Sequence, residues 1–219
     1  MAKILVNYPS RSRPHKFFKI ITDYHTKSSG KHSIHYLIKI DSNDYSMNPD
    51  RIAAFCRKVG VDFTLLVLPD CKGKIDAINR GVNLENHDFV VCIADDMNVE
   101  ETGWDDILVR DFGGDYSLSL NYNIDPRLGD YKSLLVLPII GKDLYNRFGY
   151  IYHPSYVSEF CDNEQTEVFE QLQKNKHIDR KVFYHDWDNN QDALMQRNIR
   201  IGHGIDKTTY EKRKSASFL

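Results

Sequence analysis

Residues 89–96 read Phe89-Val90-Val91-Cys92-Ile93-Ala94-Asp95-Asp96, six apolar positions that run without a break into two carboxylates. A half-buried strand alternates apolar with polar residues. A run that stays apolar at every position fits a strand covered on both faces, as in a parallel sheet between helices. Ligands of such sheets bind beyond the carboxyl ends of the strands, which is where this run places Asp95 and Asp96. Adjacent carboxylates repel each other unless donors or a cation offset the repulsion. A divalent ion shared with a diphosphate is an economical offset, and a helix cap or a solvated turn is the plain alternative.

Three further apolar runs precede this one, at 3–8, 33–40 and 63–68. Helical patterns separate them. Pro14 fits a first helical turn ahead of Phe17, Phe18, Ile20, Ile21 and Tyr24. Asn48-Pro49 opens a second helix that Gly60 ends, and a third covers 74–82. Strand and helix alternate through four strands, so about the first hundred residues are predicted to be α/β with a mostly parallel sheet. Downstream, 116–122 alternates in part and 134–140 is a strong apolar strand. Residues 162–172 form a helix in which Asp162 and Gln165 have capping-box spacing. A short strand at 182–184, a helix over 188–197 and a polar helical stretch at 207–214 follow, with a glycine-flanked loop around His203 and Asp206. No repeat or Gly/Ser linker interrupts the chain, so a single domain over 1–219 is expected.

Composition narrows the function classes. Of 219 residues, 41% are apolar, enough for a sizeable core and against a disordered chain. The formal charge of −2, from 29 basic and 31 acidic residues, supplies no global field for nucleic acid. Cys56, Cys71, Cys92 and Cys161 include no CxxC pair, which favours free thiols in a reducing compartment. The apolar run before Asn7 is too short for a signal peptide, and about 18 consecutive apolar residues occur nowhere. A cytoplasmic protein without a membrane span is expected.

In its order of strands, helices and acidic residues, the chain resembles nucleotide-sugar glycosyltransferases of the GT-A fold, particularly the large inverting family. Ala94-Asp95-Asp96 is similar to a shortened form of that family's Asp-x-Asp motif. The resemblance implies a nucleotide-binding half at about 1–100 and an acceptor half at about 101–219. It implies Asp96 as ligand to Mn²⁺ or Mg²⁺, with Asp95 on the ribose or the metal. Pro9, Ser10 and Arg11 would form the donor loop, Asp41 would meet the base, and Lys74 or Arg80 would meet phosphate. A diphosphate needs cations, and a glycine-flanked turn lets backbone approach it closely. Asp162 would be the catalytic base with Glu164 second, and His185 a late metal ligand. Trp187 would stack on a sugar, and Tyr152 would lie in a loop beside it. The implied donor is a nucleotide diphosphate sugar, UDP-linked by default. The acceptor is open among glycan, small molecule and modified nucleic-acid base.

Two other functions share parts of this pattern. A nucleotidyltransferase uses a similar sheet and acidic site but carries a Gly-rich basic signature after its first strand. Pro9-Ser10-Arg11-Ser12-Arg13-Pro14 has no glycine. A nucleotide-sugar-binding domain with a dead site needs no catalytic base.

Overall fold

In the computed structural model, residues 1–122, 134–186 and 192–218 are described. The four upstream apolar runs form β1 (Lys3–Pro9), β2 (Ser33–Asp41), β3 (Asp62–Leu68) and β4 (Phe89–Cys92), linked by α1 (Pro14–Thr26), α2 (Pro49–Val59) and α3 (Lys74–Asn79). All four strands are parallel, in the spatial order β3-β2-β1-β4. Asn48 caps α2 by accepting from the Arg51 N–H, and Gly60 ends it at a left-handed φ of 87°.

The chain continues through β5 (Met97–Val99), α4 (Trp104–Phe112), β6 (Ser119–Tyr122), β7 (Ile139–Gly141), α5 (Lys142–Phe148), α6 (Cys161–Gln171), β8 (Asn175–Ile178), β9 (Phe183–His185) and α7 (Ala193–Ser215). The sheet becomes seven-stranded in the order β3-β2-β1-β4-β7-β6-β8, with β7 antiparallel to both neighbours. β5 and β9 pair separately as an antiparallel ribbon. Alternate residues of the buried strands feed two apolar clusters. Ile4, Val6 and Tyr8 of β1 pack with α1, α2 and α4 on one face. Leu5 packs with Ile75 of α3, Leu144 of α5 and Phe169 of α6 on the other. Both faces are covered, which is why the strands read as continuous apolar runs.

The structure differs from expectation in places with identifiable causes. The run 134–140 contributes to the sheet only from Ile139. Pro138 has no N–H to give a ladder, and the Leu135 N–H goes to Thr166 Oγ1 at 2.9 Å. Its apolar character reflects burial, since Leu135 is fully buried. Asp162 is not a cap: α6 begins after Phe160, which sits at φ 58° with no side-chain capping bond. The glycines at 202 and 204 lie inside α7, so no loop surrounds His203 and Asp206. A Cβ at Gly202 would meet Ser158 Cβ and Asp206 Oδ2, each at 2.8 Å. That glycine serves close packing rather than a turn.

Asp206 is fully buried on α7 and accepts the backbone N–H groups of Val157, Ser158 and Glu159 at 2.8, 2.7 and 2.8 Å. Asp206→Ala would leave three backbone donors without their acceptor. We expect a loss of about 3 kcal/mol or more in urea unfolding, since each orphaned buried donor costs roughly 1–3 kcal/mol. A loss under about 1 kcal/mol would mean that water replaces the carboxylate. Among the described residues, no helix is long and apolar enough to cross a membrane.

Candidate active site

Asp95 and Asp96 occupy the turn between β4 and β5, closed by the Met97 N–H on the Ala94 carbonyl at 3.1 Å. Both are largely buried, at 7% and 9% exposure. The central strand β1 delivers the donors for Asp95: Tyr8 Oη and Ser10 Oγ each donate to Asp95 Oδ1, at 2.7 and 2.8 Å. Ser10 is held in turn by its N–H on the Lys39 carbonyl at 2.9 Å. The β5–β9 ribbon delivers the partner for Asp96. Met97 stands opposite His185, the Asp186 N–H bonds the Asp96 carbonyl at 2.8 Å, and His185 Nε2 lies 3.4 Å from Asp96 Oδ2.

The two carboxyls are pushed in opposite directions. Burial raises Asp95 to about 7, although Tyr8, Ser10 and the charge of Arg13 oppose it and Asp96 adds to the rise. Burial also acts to raise Asp96, but His185 and Arg13 outweigh it and hold this carboxyl below its usual range. A carboxylate beside a largely buried imidazole is a donor set suited to a divalent ion. Among the described residues, no group of three or more His, Cys, Asp or Glu forms a metal centre by itself. An ion here would draw its remaining ligands from substrate or water.

Pro9 ends β1, and the same rim carries Arg11 and Asp41, which form an ion pair with each other at the ends of β1 and β2. Arg13 was not singled out by sequence. Its Nε and Nη2 grip Asp192 Oδ2 and Oδ1 at 2.6 and 2.7 Å, and its charge bears on both Asp95 and Asp96. Asp192 also caps α7 through the Met195 N–H at 3.0 Å. The chain after β9 is thus tied back to the loop after β1. The pair is separated by 179 positions, so no local pattern announces it.

The remaining candidates divide. Lys74 is exposed at the start of α3, and its charge reaches Asp162. Asp162 is half-buried in the first turn of α6, and burial raises its pKa against the opposing charge of Lys74. Glu164 is buried and already occupied, accepting Tyr156 Oη at 2.7 Å and Arg213 Nε and Nη2 at 2.7 and 2.8 Å. Arg80 grips Asp76 at 2.8 and 2.6 Å and bonds the Pro69 carbonyl at 2.8 Å, which braces the turn before α3. Tyr152 is a core residue at 5% exposure, its backbone held by Asn79, rather than a ring in an open loop. Trp187 lies outside the described residues. A cavity lined by Phe148, Tyr150, His153, Gln165 and Phe169 has only ≈ 20 Å³, room for one water and not for a sugar.

Lys39, also unanticipated, is 1% exposed on β2, and burial lowers it to about 8 from an ordinary 10.5. Folding therefore disfavours its protonated form. The resulting penalty is fully present below pH 8 and is relieved as pH rises toward 10.5, where the unfolded chain also loses the proton. The shift corresponds to about 3 kcal/mol. Lys39→Met is expected to remove that rise, seen as a wild-type minus variant difference in urea stability between neutral and alkaline pH. Parallel curves would refute it.

No protein-family model matches the sequence. No curated protein matches it either. Similarity appears among solved structures. The mannosyltransferase PcManGT from Pyrobaculum calidifontis, solved with GDP-Man and Mn²⁺, superposes with a TM-score of 0.69 at 12% identity, over 91% of this chain and 60% of that one. S. aureus TarS gives 0.64 at 10% identity, over 91% and 38%. Glucosyl-3-phosphoglycerate synthase from Mycobacterium tuberculosis, solved with Mn²⁺, UDP and glucosyl-3-phosphoglycerate, gives 0.58 at 14%, over 89% and 74%. The fold is the GT-A type of these glycosyltransferases. The chain spans three-fifths or less of the length of the first two.

Proposed function

We propose that this chain is a metal-dependent glycosyltransferase that moves a sugar from a nucleotide diphosphate donor, UDP-linked by default, to an acceptor hydroxyl with inversion. The observation that carries the reading is the buried Asp95–Asp96 turn with His185 at its edge, beyond the carboxyl end of β4. It lies at the carboxyl ends of β1 and β4, neighbouring parallel strands between which the strand order reverses, the place where open α/β sheets bind ligands. Neighbours of the same fold solved with GDP-Man or UDP and with Mn²⁺ or Mg²⁺ support the donor class and the ion.

Asp96 and His185 would hold the ion. When bound, it supplies Lewis-acid neutralisation of the charge that grows on the departing diphosphate. The chain does the rest. Residues 1–100 form the nucleotide half, where Pro9, Ser10 and Arg11 line the loop facing the donor and Asp41 receives the base. Asp95, kept dry by Tyr8 and Ser10, faces the ribose. Asp162 takes the acceptor's hydroxyl proton on its carboxylate. The acceptor oxygen then bonds the anomeric carbon from the face opposite the nucleotide, and the carbon–oxygen bond to the diphosphate breaks with its electron pair on the phosphate oxygen. Glu164, locked to Arg213, keeps α6 in place and is no second base. The acceptor half at 101–219 takes a glycan, a small molecule or a modified nucleic-acid base.

The test is a screen of UDP-glucose, UDP-GlcNAc and GDP-mannose with Mn²⁺, with chelator, and with Mn²⁺ restored. We expect nucleoside diphosphate release that chelator cuts at least about 100-fold, in line with the several kcal/mol a catalytic ion supplies. Release of pyrophosphate from nucleoside triphosphates and sugar phosphates would instead favour the nucleotidyltransferase. Donor binding without turnover would favour a binding domain.

A further inference from the structure

Four consecutive residues after β1 each bond a different aspartate. Ser10 Oγ donates to Asp95, Arg11 Nη1 to Asp41 Oδ2, the Ser12 N–H to Asp44 Oδ2 at 2.5 Å, and Arg13 Nε to Asp192. Ser12 takes a left-handed φ of 60°, a conformation that costs energy for any residue with a side chain. The buried Asp44 holds it there and also accepts Ser46 Oγ at 2.7 Å. Arg11 is thus fixed by the bonds of both its neighbours. Asp41 is fixed as well. It ends β2, its carbonyl accepts the Asp44 N–H at 3.1 Å, and the Ser42 N–H bonds the Leu68 carbonyl at 2.9 Å. The Arg11–Asp41 pair, with side chains 27% and 13% exposed, belongs to this frame and is no chance meeting of surface charges.

Its place along the sheet edge points to what it meets. From the acid turn at the end of β4, the carboxyl edge runs through β1 to β2, two interstrand steps or about 10 Å. A nucleoside diphosphate whose phosphates sit at the acid turn extends along that edge and brings its base to Asp41. The pair offers the base a guanidinium donor next to a carboxylate acceptor. Arg11 engages Oδ2, which leaves Oδ1 to accept from a ligand. The Cys71 thiol also lies by Asp41, but its proton goes to the Gly73 carbonyl at 3.3 Å.

Bases differ in the edge they present to such a pair. Uracil shows a carbonyl oxygen beside one ring N–H, the complement of a donor next to a single acceptor. Adenine and cytosine show the reverse order and place donor against donor. Guanine shows the same oxygen and ring N–H as uracil but adds an amino group, which a carboxylate takes on its second oxygen. Here that oxygen is held by Arg11.

We propose that Arg11 determines the choice of base: by occupying Asp41 Oδ2 it makes the site select uracil over guanine. The inference rests on the reading of this site as one for a nucleotide diphosphate sugar with its base at Asp41. Titration calorimetry of UDP, GDP, CDP and ADP with Mn²⁺ tests it without turnover. The wild type should bind UDP at least about 10-fold more tightly than GDP, the scale of leaving one buried donor unpaired, and CDP and ADP more weakly still. Arg11→Met removes the donor and frees the second oxygen. UDP should weaken about 10-fold and GDP should tighten, so that the two come within about 2-fold of each other or change order. A partly exposed pair adds little to stability, so the variant should stay folded by urea midpoint.

Asp41→Ala is the second arm, since it removes both acceptor oxygens and should weaken UDP and GDP to a common level. A wild type that prefers GDP, an Arg11→Met protein with the wild-type ratio, or a preference for UDP that survives Asp41→Ala would each overturn the proposal. Failure of the underlying reading shows separately, as a wild type that binds none of the four diphosphates.

Discussion

Asp96→Ala lowers nucleotide-sugar turnover by at least about 10³-fold and abolishes its response to Mn²⁺, while the protein stays folded. The magnitude follows from the site's charge balance. A departing diphosphate gains negative charge, and fixed positive charge aimed at it in a dry site is worth about 3–4 kcal/mol, or 10²–10³ in rate. Losing the ion also loses the template that aligns donor and acceptor. Of the paired carboxyls, only Asp96 is held below its ordinary range, with His185 at 3.4 Å, whereas Asp95 is pushed up to about 7. Asp96 also has the His185 imidazole beside it as a second donor for a cation. Some stability should be lost as well, because the variant removes one partner of the buried contact with His185, so turnover is normalised to the folded fraction. Paramagnetic resonance of Mn²⁺ titrated with and without UDP separates binding from chemistry. Turnover within about threefold of wild type, still stimulated by Mn²⁺, would remove the acid turn from the mechanism.

How far the sequence revealed this site depends on the distance over which each feature is encoded. The central strands were legible because burial on both faces imposes an unbroken apolar run, as in 89–94, while the edge strand at 63–68 reads the same although it is only partly buried. Asn48 and Gly60 were legible because capping is local chemistry. The placement of Asp95 and Asp96 at a strand's end was legible for the same reason. The same rule misled at 134–138, where burial without a sheet ladder gives the same apolar pattern. It misled again at Gly202, where a glycine signals close packing in a helix.

Two features had no local signature at all: Arg13 meets Asp192 across 179 positions, and Lys39 meets the end of α3 across 38 and 39 positions. His185 was named through the resemblance alone, and its contact with Asp96 is made by a ribbon of three-residue strands. A charged residue in an apolar strand reads as an interruption until the groups it bonds are known. Glu164 and Tyr152 show the converse. Each has the residue type a site would use, and each is committed elsewhere, Glu164 to Arg213 and Tyr152 to the core.

Asp162 and Glu164, two residues apart in α6, should therefore respond to amide substitution in opposite ways. Asp162→Asn is expected to lower kcat by about 10²–10⁴-fold, the usual worth of a positioned base, with donor KM and Mn²⁺ affinity unchanged. Its stability at neutral pH should hold or rise. Burial raises the Asp162 pKa above the unfolded value, so the folded state binds more protons across that interval and loses stability as pH rises through it. An amide, always neutral, escapes that loss. Glu164→Gln breaks a buried pair with Arg213 and should cost about 3 kcal/mol, with residual activity tracking the folded fraction. Lys74 adds a directional check. Its charge opposes the rise at Asp162, so Lys74→Met should move the acid limb of the kcat profile to higher pH. A base assigned to the wrong carboxylate would reverse the pattern, with Asp162→Asn active and Glu164→Gln folded but inert. Urea midpoints and kcat measured on the same preparations decide between the two assignments.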